Sequence, residues 1–348
     1  MKLKITVLGM GSWGSALAQV LADNEHDVVI WSREQEQVNE WNQKHTNTNY
    51  LPNVPMPENV LATADIREAA TDAEMVLVVI PTKGVRSVMK RLVEVFDVLS
   101  PNPIITHATK GIEPETHLRV SEMINQELEG QDYQDVVVLS GPSHAEEVIL
   151  REITTITAAS KSKSTAKIVQ DAFMNNYFRV YTNQDVLGVE LGGALKNIIA
   201  IGAGILDGLG FGDNVKAALI TRGLAEITRL GVELGADPMT FSGLSGMGDL
   251  IVTCSSEHSR NNRAGKLFAQ GHNKDYIEQE IGMVVEGIMT CKAAYQLAKE
   301  HQIEMPITEG LYHLIYQDAE LDTGIKNLMG RQGKAEASTI DHLLNLGE

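Results

Sequence analysis

The hexapeptide Gly9-Met10-Gly11-Ser12-Trp13-Gly14 narrows what this chain can fold into more than any other feature. It fits the pattern GxGxxG. A short apolar run at 3–8 precedes it, a helical pattern at 13–22 follows it, and a second strand-like run occupies 28–31. Glycines are common at turns, so the pattern has meaning only in a strand–turn–helix setting, and that setting is met. Each glycine then has a task. Gly9 makes the tight turn, Gly11 lets a pyrophosphate approach the backbone, and Gly14 lets helix and strand pack closely. The backbone N–H groups of Ser12 and Trp13 lie at the positive end of the helix dipole, where phosphates bind. The competing reading is a glycine-rich turn with no ligand.

The end of the second strand bears on which dinucleotide would fit. A site selective for NAD places Asp or Glu there for the ribose 2′-OH. This chain reads Trp31-Ser32-Arg33, with an acid only at Glu34. The Arg33 guanidinium suits a 2′-phosphate, and the Ser32 hydroxyl could donate to the same group. An exposed arginine at a strand end is the alternative.

Further apolar runs at 75–80, 104–106 and 136–139 alternate with helical stretches. This predicts an α/β, doubly wound, mostly parallel sheet whose strands are buried on both faces. After Arg179-Val180-Tyr181 the pattern changes. Helical periodicity fills 188–205, 217–234 (with Glu226 and Arg229 three apart), 290–300 and 308–316, with Pro306 interrupting between the last two. The expected division is 1–185 for the sheet domain and 186–348 for an all-helical domain, ending in a polar tail beyond Arg331.

Composition excludes several classes. The 348 residues carry 29 Lys and Arg against 46 Asp and Glu, a formal charge of −17. That balance argues against nucleic-acid binding, which needs clustered cations, so a phosphorylated ligand must be held by a few local ones. Cys254 and Cys291 form no CxxC, and no HExxH occurs, so neither a disulfide framework nor a metal site is expected. The N-terminus has no signal-peptide pattern, and no uninterrupted run of about 18 apolar residues exists, so no membrane span is expected and the cytoplasm is the expected compartment.

Polar residues in the second half stand out against their surroundings. Lys196 and Asn197 interrupt the apolar helix at 188–205. A buried lysine is paired or has a shifted pKa and often serves acid–base chemistry; it could instead reach solvent or pair with Glu190. The stretch Ser242 to Leu250 is glycine-dense and reads as a loop close to a ligand. Asp249 there could accept from a substrate hydroxyl, orient a lysine, or merely cap the next segment. Ser259-Arg260-Asn261-Asn262-Arg263 is a candidate phosphate clamp or a solvated helix start. Lys110-Gly111 and Gly141-Pro142-Ser143 follow predicted strand ends, where open α/β sheets bind ligands. His107 and His144 have no third group that would complete a triad.

These motifs together resemble the bacterial-type NAD(P)-dependent glycerol-3-phosphate dehydrogenase family. The matching pieces are GMGSWG from Gly9, NYLPN from Asn49, THATKGIEP from Thr106, LSGPSHAEE from Leu139, GGALKNIIAI from Gly192, LSGMGDLIVTC from Leu244, SRNNRAG from Ser259 and MVVEG from Met283. They run in family order over nearly the whole chain. The resemblance implies a Rossmann domain followed by an all-α domain of the 6-phosphogluconate dehydrogenase-like type. It implies interconversion of sn-glycerol 3-phosphate and dihydroxyacetone phosphate with NAD(P)(H), supplying glycerophospholipid synthesis. Carried over residue by residue, it implies that Gly9, Gly11, Ser12, Trp13, Gly14, Arg33, Lys110, Ala145, Arg260, Val284 and Glu286 line the cofactor. It implies that Lys110, Gly141, Ser143, Lys196, Asp249, Ser259, Arg260 and Asn261 line the substrate, with Lys196 the proton acceptor in oxidation.

Two rivals remain open at this point. One is a dehydrogenase of the same architecture acting on a sugar acid or 3-hydroxy acid, which the SRNNR cluster and Asp249 disfavour. The other is a nucleotide-sensing protein without turnover, against which Lys196 and Asp249 both stand. The expected partner is a small phosphorylated molecule, and the helical half carries enough apolar surface to support a homodimer, a monomer being the alternative at this size.

Overall fold

A computed structural model describes residues 2–330 and 332. The expected tail beyond Arg331 therefore lies, apart from Gln332, outside the described residues. The chain divides into two compact units. The first comprises residues 1–110 and 120–186, and the second 111–119 together with 187 onward.

The first unit is built on one eight-stranded sheet. Its elements are β1 (Lys4–Leu8), α1 (Ser12–Asp23), β2 (Asp27–Trp31), α2 (Gln35–Lys44), β3 (Leu61–Thr63), α3 (Ile66–Ala70), β4 (Met75–Val78), α4 (Val85–Val93), β5 (Ile104–His107), α5 (Val120–Glu127), β6 (Val136–Ser140), α6 (Ala145–Val148), β7 (Thr154–Ala159), α7 (Lys163–Phe173) and β8 (Phe178–Asn183). Strand order is β3-β2-β1-β4-β5-β6-β7-β8. All pairs are parallel except β6 with β7. The central strands are mostly apolar and are buried along nearly their whole length because helices cover both faces; Ile5, Val7, Met75 and Leu77 are fully buried. Beneath α2, Trp41 is fully buried and its indole N–H donates to the Val60 carbonyl (2.9 Å). Strands β3, β7 and β8 escape the sequence reading, the first because it has three residues, the others because TTITAA and FRVYTN lack a continuous apolar run.

Strand order reverses at β1, whose neighbours are β2 and β4, with Leu8 in register with Trp31 on one side and Val78 on the other. Such a switch point leaves a crevice beyond the strand C-termini. The turn Gly9–Gly14 begins there.

The second unit is helical: α8 (Val186–Gly208), α9 (Asp213–Glu233), α10 (Pro238–Phe241), α11 (Asp249–Ser255), α12 (Arg260–Ala269), α13 (Lys274–Ile281), α14 (Glu286–Glu300), α15 (Pro306–Gln317) and α16 (Leu321–Met329). Helix α8 is its axis. By length and composition it could cross a membrane, yet 94% of its most apolar window is buried. Pro306 lies between α14 and α15, as expected, and starts the second of them, since the first helical position needs no N–H. The sequence 244–248, expected as a loop, is one turn of π-helix leading into α11. Its glycines serve close packing: a Cβ on Gly246 would lie 2.1 Å from the Phe241 carbonyl oxygen. Residues 111–119 join this unit because Ile112 enters its core and Arg119 pairs with Glu190 of α8 (2.6 Å).

Candidate active site

The glycine turn of the first unit separates what the fold needs from what a ligand needs. Gly9 has φ +118, and a Cβ there would lie 2.3 Å from the Val79 carbonyl oxygen. A Cβ on Gly14 would lie 1.9 Å from the Gly9 carbonyl oxygen. Both glycines are demanded by the chain itself. At Gly11 a Cβ would meet only the Tyr50 ring, at 3.8 Å. The fold does not require glycine there, and the space open beside its Cα would admit a close-lying pyrophosphate. Gly11 is also the N-cap of α1, with no side-chain cap and no acidic residue in the first turn, so the helix end is suited to an anion. Ser12 donates its hydroxyl to the Tyr50 carbonyl (3.0 Å), and Trp13 packs on the core.

At the end of β2 the two expected 2′-phosphate ligands part company. Arg33 is exposed and lies against Glu34 (2.9 Å). Ser32 is buried and donates its hydroxyl to Gln37 Oε1 (2.7 Å), which links the end of β2 to the first turn of α2.

Past the ends of β5 and β6, three predicted residues come together. Lys110 Nζ donates to the Gly141 carbonyl (3.1 Å), and the Ser143 hydroxyl donates to the same oxygen (2.9 Å). Gly141 has φ +150, and a Cβ there would lie 2.9 Å from Ile156 Cα. Ala145 is buried at the start of α6, where His144 holds the N-cap position without a side-chain cap bond.

In the second unit, Lys196 is buried on α8 and donates to Asp249 Oδ1 and to the Thr253 hydroxyl (2.7 Å). Thr253 in turn donates to the Asp249 backbone carbonyl (2.6 Å). The carboxylate is 1% exposed, so this ion pair is desolvated and its geometry is held by partners on every side. Asp249 thus orients the lysine rather than capping α11, whose N-cap is Gly248. Glu190, the alternative partner for Lys196, is taken by Arg119. Asp249 and Thr253 are four apart on one helix face, a spacing that could have exposed Thr253 in the sequence. Cys254 beside them is inert: burial pushes its thiol up to about 12.

The SRNNR run is a helix start, but not a solvated one. Ser259 caps α12 by accepting from the Asn262 N–H (3.2 Å). Asn261 donates to Asn197 Oδ1 (2.9 Å) and accepts from the Gly287 N–H (2.9 Å). Asn262 donates to Asp207 (3.0 Å) and to the Cys254 carbonyl (3.1 Å). Burial opposes the Asp207 charge, yet hydrogen bonds from Lys216 and Asn262 outweigh it and hold the carboxyl below its usual range. Arg260 is exposed and donates to the Val284 carbonyl (2.9 Å), which brings it beside the 284–287 segment that includes Glu286. Among the described residues no group of three His, Cys, Asp or Glu is arranged to hold a metal ion.

Residues 4–166 match the family model described as NAD-dependent glycerol-3-phosphate dehydrogenase N-terminus, and residues 185–326 match the model of its C-terminus. The glycerol-3-phosphate dehydrogenase (NAD(P)+) of Enterococcus faecalis is 57% identical over 336 residues, covering 97% of this chain and 98% of its own. That of Bacillus pumilus is 54% identical over 345 residues, covering 99% and 98%. Among solved structures, the glycerol-3-phosphate dehydrogenase of Coxiella burnetii superimposes with a TM-score of 0.88 at 38% identity, covering 95% of this chain and 99% of that one.

Proposed function

The chain belongs to the NAD-dependent glycerol-3-phosphate dehydrogenase family, and from that premise we propose how its own residues interconvert sn-glycerol 3-phosphate and dihydroxyacetone phosphate. The observation that carries the reading is the buried Lys196, held by Asp249 and Thr253 next to the Asn197–Asn261 pair. The first unit holds the dinucleotide, with Gly9, Gly11 and Gly14 shaping the turn, Ser12 and Trp13 presenting backbone N–H groups, and Arg33 at the adenosine end. Bound NAD(P) supplies the hydride acceptor or donor for C2 of the three-carbon substrate.

Lys196 manages the proton on the C2 oxygen. In reduction its ammonium stabilises the developing alkoxide and then protonates it; in oxidation the neutral amine takes the hydroxyl proton. An ammonium has three N–H donors, and Asp249 and Thr253 engage one each, which fixes the direction of the head group. Of the two exposed arginines at this helix start, Arg260, tied to the Val284 carbonyl, is assigned to phosphate, with Ser259 and Asn261 beside it. Lys110, Gly141 and Ser143 form a second polar group assigned to the substrate, Lys110 with Ala145 to the cofactor as well, and Val284 and Glu286 to the cofactor. Two buried free thiols suit a reducing cytoplasm. Supply of glycerol 3-phosphate to glycerophospholipid synthesis and assembly as a homodimer belong to the same proposal.

The test is spectrophotometric. NADPH or NADH is mixed with the purified chain, and loss of nicotinamide absorbance is followed on adding dihydroxyacetone phosphate. Turnover is expected with this ketone and not with its unphosphorylated counterpart. Equal rates with both would refute a phosphate-reading site.

A further inference from the structure

Asn47, just ahead of the NYLPN segment, has no part in the chemistry above, yet its side chain is fully buried. Its amide nitrogen donates to the Met10 carbonyl (2.9 Å) and to Ser15 Oγ (2.9 Å). Its amide oxygen accepts from Gln37 Nε2 (3.0 Å). Gln37, in the first turn of α2, donates from that same nitrogen to the Met10 carbonyl (2.6 Å) and accepts the Ser32 hydroxyl on Oε1 (2.7 Å). Met10 lies between Gly9 and Gly11. Its carbonyl therefore receives two side-chain N–H groups, one for each lone pair. The Asn47 backbone closes the arrangement. Its carbonyl accepts from Tyr50 N–H (3.1 Å) and Leu51 N–H (2.8 Å), and the Tyr50 carbonyl accepts from Ser12 in the first turn of α1.

A turn with two glycines in three residues has little stiffness of its own, because glycine has more backbone freedom to lose than any other residue. Two amides locking its one intervening carbonyl supply that stiffness from outside. Gln37 also reaches Ser32, at the strand end where the adenosine ribose is read. We propose that Gln37 and Asn47 are positioning residues for the dinucleotide. They hold the Gly9–Gly14 turn in its binding geometry before the cofactor arrives, and Gln37 makes the turn and the end of β2 respond as one piece. The inference rests on the first unit being the dinucleotide carrier. It concerns residues that touch the turn rather than the cofactor, and binding energy is gained by ordering the receptor in advance.

The experiment is direct titration of NADPH and NADH onto the full chain by nicotinamide fluorescence, which reads affinity without turnover. Gln37→Leu removes the grip, and Gln37→Glu sets a carboxylate oxygen against the Met10 carbonyl and Asn47 Oδ1. Each should weaken both cofactors about tenfold, the loss of one well-placed hydrogen bond plus an unmet acceptor. The cofactor KM should rise in proportion while kcat at saturation moves less than about twofold. The melting temperature without cofactor should fall by a few degrees at most, the cost of one lost hydrogen bond from a half-buried side chain. Ser32→Ala should weaken binding about threefold alone and add nothing to Gln37→Leu, because both act through one contact. Wild-type affinity in both Gln37 variants overturns the proposal and leaves the dinucleotide reading standing. An affinity loss that follows a fall in melting temperature and adds to that of Ser32→Ala makes Gln37 purely structural and also overturns it. If the unaltered chain binds neither cofactor, the dinucleotide reading itself fails.

Discussion

Replacing Lys196 with Met tests the proton-transfer assignment, and the structure sets two separate magnitudes for it. The first concerns rate. Methionine keeps the length and helix propensity of lysine and deletes the proton donor. Loss of general acid–base help costs about 10²–10⁴-fold, or roughly 3–5 kcal/mol of barrier. The drop in kcat should reach that range, since the same ammonium stabilises the alkoxide. The second concerns stability. Asp249, at 1% exposure, would be left as a buried charge without its cation. Removing one partner of such a pair costs about 3–5 kcal/mol, on the order of 10 °C in melting temperature. A variant that merely unfolds would imitate a catalytic defect. The double variant Lys196→Met with Asp249→Asn resolves this by removing the stranded charge. It should recover most of the melting temperature and none of the activity. Affinity for NADPH should hold in both variants, because the glycine turn belongs to the other unit. The assays are steady-state kinetics at saturating cofactor, thermal denaturation and fluorescence titration. A folded Lys196→Met protein with near-normal kcat would refute the assignment.

Four further outcomes follow from the same geometry. Arg260→Lys should raise KM for dihydroxyacetone phosphate or the cofactor by about tenfold or more, because a point ammonium cannot reproduce a forked contact; unchanged KM for both removes Arg260 from the site. Arg33→Asp should move the ratio of kcat/KM toward NADH by repelling a 2′-phosphate and favouring a free 2′-OH, and an unmoved ratio means that the 2′ position is read elsewhere. Gly14→Ala should destabilise the protein, its Cβ meeting backbone at 1.9 Å, whereas Gly11→Ala should melt like wild type and bind NAD(P)H more weakly; equal melting of the two would contradict the division of tasks between these glycines. Burial pushes the Glu226 carboxyl from 4.5 up to about 7, against hydrogen bonds from Ile307 and Thr308 that lower it. The folded state thus binds this proton more tightly than the unfolded chain, so the stabilisation is complete below pH 4.5 and is lost as pH rises through 7. Glu226→Gln should flatten that part of the melting-temperature profile, and an unchanged slope would reject the shift.

Much of the first unit was legible because its central strands are mostly apolar and its turn carries glycines in a spaced pattern. β7 was hidden because three of its six residues are threonines and no continuous apolar run marks it; it also pairs antiparallel with β6. The helical unit showed its long axis but not its contacts. Nothing local in the sequence reveals that Asp249 rather than Glu190 meets Lys196; Glu190 is six residues away on the same helix, yet Arg119 claims it. The Gln37–Asn47 grip was equally silent, because it converges on a main-chain carbonyl, which carries no residue identity.

The SRNNR run shows how structure sorts a polar cluster that composition leaves undivided. Five polar residues in sequence suggest five candidate ligands. In the fold, Ser259 caps a helix, Asn261 bridges Asn197 to Gly287, and Asn262 ties Asp207 to the Cys254 carbonyl. Those bonds consume most of their donors and hold the start of α12 rigid. Arg260 and Arg263 both stay exposed; Arg260 is steadied by a bond to the Val284 carbonyl, with further N–H groups on its guanidinium. The buried asparagines are thus the support, and of the two exposed arginines Arg260 is the one tied to the 284–287 segment. Substituting Asn262 should act through the placement of Arg260, raising KM together with a loss of stability, whereas Arg260→Lys should raise KM with stability intact. That contrast would separate a residue that grips phosphate, the role proposed for Arg260, from those that hold it in place.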